Sequence, residues 1–108
     1  MVNKVVYAPL ALQDMEDILE YSRDNFYDPE TARKIVAHLI ATANSLKQFP
    51  ERGTPLGLIG EVAHIEDKYR FLVSDNYLIF YRYVRGCVFV DRILYKHRNY
   101  LEILFHDD

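Results

Sequence analysis

The sequence predicts an α+β fold in which a helical hairpin packs on a small antiparallel sheet. Two observations support this prediction. Residues 69–98 contain three runs of β-branched and aromatic residues, separated only by short turn-forming segments. The region before them contains two runs whose apolar residues recur at helical spacing. A helical part followed by a cluster of strands is typical of an α+β arrangement.

The N-terminal part predicts one strand and one helix. Residues 4–7 form a short β-prone run, and Pro9, which lacks a backbone N–H, suits the first turn of a following helix. Acidic residues fill the side of this helix opposite to its inward face. The inward positions are Leu12, Met15, Ile18, Leu19, Ser22 and Phe26. We expect an amphipathic helix with an acidic outer surface.

A second helix is predicted between Asp28 and Pro50. Asp28 and Pro29 are typical of an N-cap followed by a first-turn proline. The apolar residues that follow keep the helical period for about five turns, until Pro50 ends the helix. Because the link between the two helices is short, we expect an antiparallel hairpin whose apolar faces turn toward the sheet.

The strands of the sheet follow the helices. Runs 77–84 and 87–95 are separated only by Arg85 and Gly86, which is a β-hairpin signal. Run 69–73 precedes them across polar residues that favour a turn. Together they predict a three-stranded antiparallel meander. The N-terminal strand must pair at a sheet edge or beside the last strand, and the apolar spacing near the C-terminus predicts a short helical tail.

The composition limits the classes of function. A chain of 108 residues, 50% of them hydrophobic, predicts a single domain over residues 1–108. A net charge of −3 argues against a protein that binds mainly by neutralising phosphates, although residues 82–98 are rich in basic side chains. The only cysteine, Cys87, excludes an internal disulfide. Since no run is long enough to span a bilayer, we expect a soluble, cytoplasmic protein.

The sequence indicates neither a metal site nor a cofactor. His64 and Glu66 alternate on a possible strand, but no third ligand is near them in sequence. His38 lies off the apolar face of the second helix and is interpreted as a surface residue.

Several segments of the chain follow a known pattern. The opening, YAPLALQDMEDILEYS, fits a strand followed by Ala-x-x-Asp-Leu-x-x-Ile-x-x-Tyr, and residues 46–53 fit L-x-x-F-P-x-x-G. The third piece comprises YRFLVSDNYLIFYRYV and RILYKHRNYLEILF. These segments resemble the RelE/ParE superfamily of bacterial toxins from type II toxin-antitoxin modules, and its ParE branch, the plasmid-stabilisation proteins, more than its RelE branch. The matches cover nearly the whole chain in the right order.

The resemblance implies a growth-arresting toxin that is neutralised by an antitoxin encoded beside it. ParE-like members poison DNA gyrase and are not thought to be catalysts, whereas RelE-like members cut messenger RNA inside the ribosome. We expect a gyrase inhibitor, with the ribosome-dependent endonuclease as the alternative. A third possibility is a weakly toxic homologue that acts with its antitoxin as a transcriptional co-repressor, touching operator DNA only through the antitoxin.

A metal-independent nuclease needs a general base, cations that stabilise the transition state, and an acid for the leaving oxygen. By the resemblance, the residues that would serve here are Arg70, His97, Arg98 and Tyr100. Other positions of the RelE catalytic set carry leucine or isoleucine in this chain, which disfavours the nuclease. Alternatively, Arg70 and Arg98 only pair with nearby carboxylates at the sheet edge.

The resemblance also suggests surfaces for partners. An acidic antitoxin segment would suit the basic patch and exposed tyrosines of the sheet, through groove docking or β-augmentation. The predicted antitoxin-binding residues are Arg82, Arg85, Arg92, Tyr77, Tyr81 and Tyr83. The predicted target-binding residues are Arg23, Arg33, Arg98 and Tyr100.

Overall fold

The structure, a computed structural model, describes residues 3–20, 28–56, 69–97 and 103. Its elements are β1 (Lys4–Tyr7), α1 (Pro9–Glu20), α2 (Pro29–Asn44), a 3-10 turn (Ser45–Lys47), β2 (Thr54–Pro55), β3 (Tyr69–Ser74), β4 (Tyr77–Val84) and β5 (Cys87–Tyr95). The predicted α+β fold, with its N-terminal strand, two helices and meander, is confirmed. The helical tail predicted at the C-terminus lies almost wholly outside the described residues.

The five strands form one mixed sheet in the order β1-β5-β4-β3-β2. The meander β3-β4-β5 is antiparallel, and β1 runs parallel to β5 at the edge of the sheet. Two positions were predicted for the N-terminal strand: a sheet edge, or the side of the last strand. Strand β1 satisfies both, because it is an edge strand and its neighbour is β5. Arg85 and Gly86 form the β4–β5 turn with φ angles of 48° and 80°. Two positive φ angles are typical of a type I′ turn, whose twist matches that of the flanking strands.

Both faces of the sheet are buried over part of their area. On the helix side, buried residues of β4 and β5 pack against α1 and α2. Representative members of this larger cluster are Ile18, Leu39, Ile79, Tyr81, Val88 and Val90. On the opposite side, a smaller cluster consists of Leu56, Leu78, Phe80 and Leu94, with Tyr69, Phe71 and Ile103 packed against it. The helices thus cover one face, and loop residues cover part of the other.

Asp14 joins α1 to β5. Its carboxylate accepts two hydrogen bonds from Arg92, at 2.8 Å from Nε and 2.9 Å from Nη2, and one from the backbone N–H of Ile93 at 2.8 Å. Strand β1 pairs with β5 only as far as Val90. The Asp14 carboxylate therefore supplies the backbone acceptor that β1 no longer provides further along β5.

The arginine that Asp14 binds follows a β-bulge. Phe80 pairs with Arg92 whereas Tyr81 pairs with Val90, so Asp91 is the extra residue on β5. An extra residue redirects the side chains next to it. Here Arg92 reaches α1, while Asp91 bonds Arg82 of the neighbouring strand.

Helix α2 begins as predicted but ends earlier. Asp28 is the N-cap, and its side chain accepts a hydrogen bond of 2.8 Å from the N–H of Thr31, which lowers the pKa of Asp28. The helical period was expected to continue toward Pro50, but the chain tightens into the 3-10 turn after Asn44. The Ser45 hydroxyl donates to the carbonyl of Thr42 at 2.6 Å. A side chain bonded in this way competes with regular helix geometry.

No helix within the described ranges is both long and apolar enough to span a membrane.

We predict that Asp14→Ala lowers the free energy of unfolding by about 3–5 kcal/mol, because removing one partner of a largely buried ion pair leaves the other uncompensated. Asp14→Asn should lose less, since its amide oxygen still accepts from Ile93. Urea unfolding followed by circular dichroism measures both. Glu16→Gln, at an exposed position of α1, is the control. Equal stability of Asp14→Ala and the control would contradict the assigned role of Asp14.

Candidate functional site

Two side chains of the sheet form hydrogen bonds to the backbone of the loop between the 3-10 turn and β2. The Tyr81 hydroxyl donates to the carbonyl of Pro50 at 2.8 Å and accepts from the N–H of Gly53 at 2.9 Å. Nη1 of Arg70 donates to the carbonyls of Glu51 and Gly53, at 3.0 and 2.8 Å. Burial raises the pKa of Tyr81, so its hydroxyl keeps its proton for the bond to Pro50. This loop contains the F-P-x-x-G part of the motif recognised in the sequence.

Gly53 permits this arrangement because it has no side chain. A Cβ atom there would lie 2.5 Å from the Tyr81 hydroxyl oxygen and 2.9 Å from the carbonyl oxygen of Phe71. Real Cβ atoms essentially never approach other atoms so closely, and the Phe71 carbonyl belongs to the sheet backbone. The glycine of the motif therefore serves the fold.

The structure does not bring Arg70 and His97 together. Arg70 pairs with Tyr81 across β3 and β4, whereas His97 follows Tyr95, which pairs with Tyr77. Four residues of β4 separate these two rows, or about 13 Å along the strand. The exposed ring of His97 lies edge-on against Tyr95, with 5.2 Å between the ring centroids. The strand pairing thus gives Arg70 and His97 different positions along the sheet.

The other nuclease and target candidates are less informative. Arg23, Arg98 and Tyr100 lie outside the described residues, as do His64 and Glu66. Arg33 is exposed on α2. The surface position predicted for His38 agrees with the structure, where its Nδ1 lies 3.0 Å from a carboxylate oxygen of Asp75. Within the part of the chain that the structure describes, no group of three His, Cys, Asp or Glu residues could hold a metal ion.

Part of the sheet face opposite to the helices is only partly covered. We call it the open face and define it by two rows of residues that are in register across the strands: Lys4, Cys87 and Val84, and next to them Val6, Phe89, Arg82 and Tyr69. Val6 and Val84 keep 38% and 46% of their surface exposed. Tyr69, at the end of the second row, also packs against the smaller cluster of buried residues.

Arg82 occupies the middle of the open face. It donates two hydrogen bonds to Asp91, at 2.6 and 3.1 Å, and its guanidinium carbon lies 5.2 Å from the centroid of the Phe89 ring. The bond to Asp91 raises the pKa of Arg82. Burial and the Asp91 charge raise the pKa of Tyr69. The open face thus combines an oriented cation, an aromatic ring and a protonated phenol.

The predicted antitoxin-binding residues divide into two groups. Arg82, Arg85 and Tyr83 are partly or fully exposed, which suits a binding surface. Tyr77 and Tyr81 are buried in the larger cluster on the helix side. Arg92 is held by Asp14. Among the predicted residues, the first group is therefore the one whose side chains are accessible to a partner, and Arg82 of this group lies on the open face.

Sequence reasoning did not identify Asp91, Phe89 or Tyr69 as members of this surface. Strand alternation alone would place Phe89 and Asp91 on one face of β5. Their association with Arg82 depends on the pairing register and on the bulge, which the sequence does not reveal.

Comparison with known proteins identifies the class. The family model described as "ParE toxin of type II toxin-antitoxin system, parDE" matches residues 5–100, and the chain belongs to this family. It is also similar in structure to a chain of the "Chromosomal ParDE TA system from P. aeruginosa", with a TM-score of 0.68 and 18% sequence identity. That match covers 87% of this chain and 96% of the other. No curated protein matches the sequence significantly. The resemblance to the ParE branch is thereby confirmed.

We predict that Gly53→Ala lowers the free energy of unfolding by about 1–3 kcal/mol, because the added methyl group forces Tyr81 or the β3 backbone to move. Thermal and urea unfolding measure the change. Gln48→Ala, at an exposed position of the same loop, should change the stability by less than about 0.5 kcal/mol. If Gly53→Ala were as stable as the wild type, the close packing of this loop would be contradicted.

Proposed function

We propose that this ParE-type toxin arrests growth by inhibiting DNA gyrase in the cytoplasm, and that its cognate antitoxin neutralises it by covering the open face. Membership of the ParE family supports the toxin class. We also propose that residues 1–108 act as one functional domain without a metal or cofactor.

The role of Arg70 is the observation that favours gyrase over messenger RNA as the target. A nuclease of the RelE type would use Arg70 to stabilise a phosphate. In this chain, Nη1 of Arg70 donates to two backbone carbonyls, and Nη2 lies 3.8 Å from the Glu51 carboxylate. A guanidinium committed to the loop in this way supports a structural role. The row of Arg70 and the row of Tyr95, which precedes His97 by two residues, are about 13 Å apart along β4, and this spacing supports the same conclusion.

The open face supports the antitoxin part of the proposal. It offers exposed apolar side chains next to Lys4 and Arg82, and β1 forms an edge of the sheet. An extended antitoxin segment with apolar and acidic residues would bury Val6, Val84 and Phe89 while its carboxylates meet the cations. Interfaces typically combine an apolar centre with a polar rim in this way.

We predict that expression of this chain alone in a bacterial host produces DNA breaks and an SOS response while messenger RNA stays intact. His97→Ala should retain this effect, because inhibition of gyrase does not require the imidazole as a catalyst. Pulsed-field electrophoresis, an SOS reporter and primer extension on ribosome-bound messages make the measurement. Co-expression of the antitoxin gene encoded beside the toxin is the control and should restore growth.

Rapid cleavage of messages at codon-defined positions, abolished by His97→Ala, would contradict the gyrase proposal and favour the nuclease. Undisturbed growth, combined with operator repression that needs both proteins, would favour the co-repressor.

A further inference from the structure

The sequence motif L-x-x-F-P-x-x-G has four fixed residues, and the fold accounts for three of them. Leu46 is fully buried in the larger cluster. The carbonyl of Pro50 accepts from Tyr81, and a Cβ at Gly53 would collide with the same tyrosine. Phe49 differs, because it belongs to neither cluster of buried residues and keeps 63% of its surface exposed. No other large apolar side chain that the structure describes is exposed to this extent.

The backbone that carries Phe49 is held in place. The N–H of Phe49 donates to the carbonyl of Ser45 at 3.2 Å, and the N–H of Arg52 donates to the carbonyl of Phe49 at 3.1 Å. The second bond closes a β-turn with Pro50 at its second position, where the fixed φ of proline is favoured. The hydrogen bonds from the sheet fix the remainder of this loop. An aromatic ring presented in this way loses little conformational freedom when a partner covers it.

Arg52 brings a positive charge to the same surface. The β-turn places the Cα atoms of Phe49 and Arg52 within about 7 Å of each other. Both residues line one shallow concavity of the loop. Nη1 of Arg52 donates to the Ser45 hydroxyl, which orients the guanidinium. The neighbouring Glu51 carboxylate lies 3.8 Å from Arg70, whereas Arg52 forms no ion pair within the described ranges. Its charge is therefore available to a partner.

The surface around Phe49 is separate from the open face. Tyr81 belongs to the larger cluster on the helix side of the sheet, and its hydroxyl bonds the loop. The loop therefore lies on the helix side, whereas the open face lies on the opposite side. A partner that contacts Phe49 can thus differ from the partner that covers the open face.

We propose that Phe49 and Arg52 form the contact between this toxin and its protein target. The aromatic ring enters an apolar pocket of the target, and the guanidinium bonds a carboxylate at the rim of that pocket. Aromatic residues and arginines are typical of the few side chains that dominate the energy of an interface. The inference rests on the proposed function, which supplies DNA gyrase as the target.

The shape and charge of this surface favour a protein over other occupants. A single loop lines the concavity, whereas a small-molecule pocket encloses most of its ligand. Single-stranded nucleic acids stack on successive aromatic residues along a basic groove, but this loop presents one ring on a chain with a net charge of −3. In a symmetric dimer through this loop, the two Arg52 side chains would approach each other, which is unfavourable.

Phe49→Ala tests the contact. Because the ring is exposed, this variant should unfold at the same urea concentration as the wild type and keep its affinity for the antitoxin encoded beside the toxin. We expect growth arrest to be lost at expression levels at which the wild type is just toxic. Inhibition of purified gyrase should need about thirtyfold more protein, the loss typical of a dominant interface residue. Leu10→Ala, at a position of α1 with 59% of its surface exposed, is the matched control and should behave as the wild type.

Arg52→Gln tests the charge. It keeps a donor for the Ser45 hydroxyl but removes the cation, so we expect about tenfold weaker inhibition, as for the loss of a charged hydrogen bond. Lys34→Gln removes a charge from α2 and is the matched control. Equal inhibition by these two variants would contradict the role of Arg52.

Growth arrest by Phe49→Ala equal to that by Leu10→Ala would overturn the inference. Loss of antitoxin binding together with growth arrest would also overturn it, since the loop would then be an antitoxin contact. Analytical ultracentrifugation and binding of a labelled single-stranded oligonucleotide test the remaining occupants. A dimer or an oligonucleotide complex that depends on Phe49 would assign the loop to that occupant and contradict the protein target.

Growth arrest and gyrase inhibition, measured side by side, separate this inference from the proposed function. If the wild type arrests growth without inhibiting gyrase and Phe49→Ala does not arrest growth, only the gyrase proposal is contradicted. If Phe49→Ala inhibits gyrase as strongly as the wild type does, only this inference is contradicted. A wild type that does not arrest growth contradicts both.

Discussion

The fold depends on the carboxylate of Asp14. Strand β1 ends after Tyr7, so among the described strands the second half of β5 has no partner on that side. Asp14 occupies this position, bonding the Ile93 N–H and the Arg92 guanidinium while its helix packs on the same strand. An uncompensated arginine or an unpaired N–H at this junction would be costly. One side chain therefore links the helical layer to the sheet through both an ion pair and a backbone hydrogen bond.

The bulge links this junction to the opposite face of the sheet. With Asp91 as the extra residue, Arg92 reaches α1 while Asp91 bonds Arg82 above the Phe89 ring. The side chains that anchor the helix and those that organise the open face are thus neighbours in sequence but act on different sides. Elsewhere in the sheet, Arg70 and Tyr81 form hydrogen bonds to the loop between the 3-10 turn and β2.

Periodicity and turn chemistry predicted most of the fold, because each helix and strand is defined by its own local pattern. The two-residue turn at Arg85 and Gly86 and the N-cap at Asp28 were visible in the sequence for the same reason. The Asp14–Arg92 pair was not, since its partners lie 78 residues apart and either charge could equally face solvent. The bulge depends on tertiary contacts. The local sequence around Arg70 would be the same whether its guanidinium bound a phosphate or a loop carbonyl. Local sequence therefore cannot assign its role.

The most direct test of the gyrase proposal uses purified components. DNA supercoiling by bacterial gyrase is measured as the concentration of this chain increases, in parallel with messenger RNA integrity in a reconstituted translation system. We expect a loss of supercoiling that the antitoxin relieves, with the messages left intact. Normal supercoiling together with ribosome-dependent cleavage of the messages would contradict it.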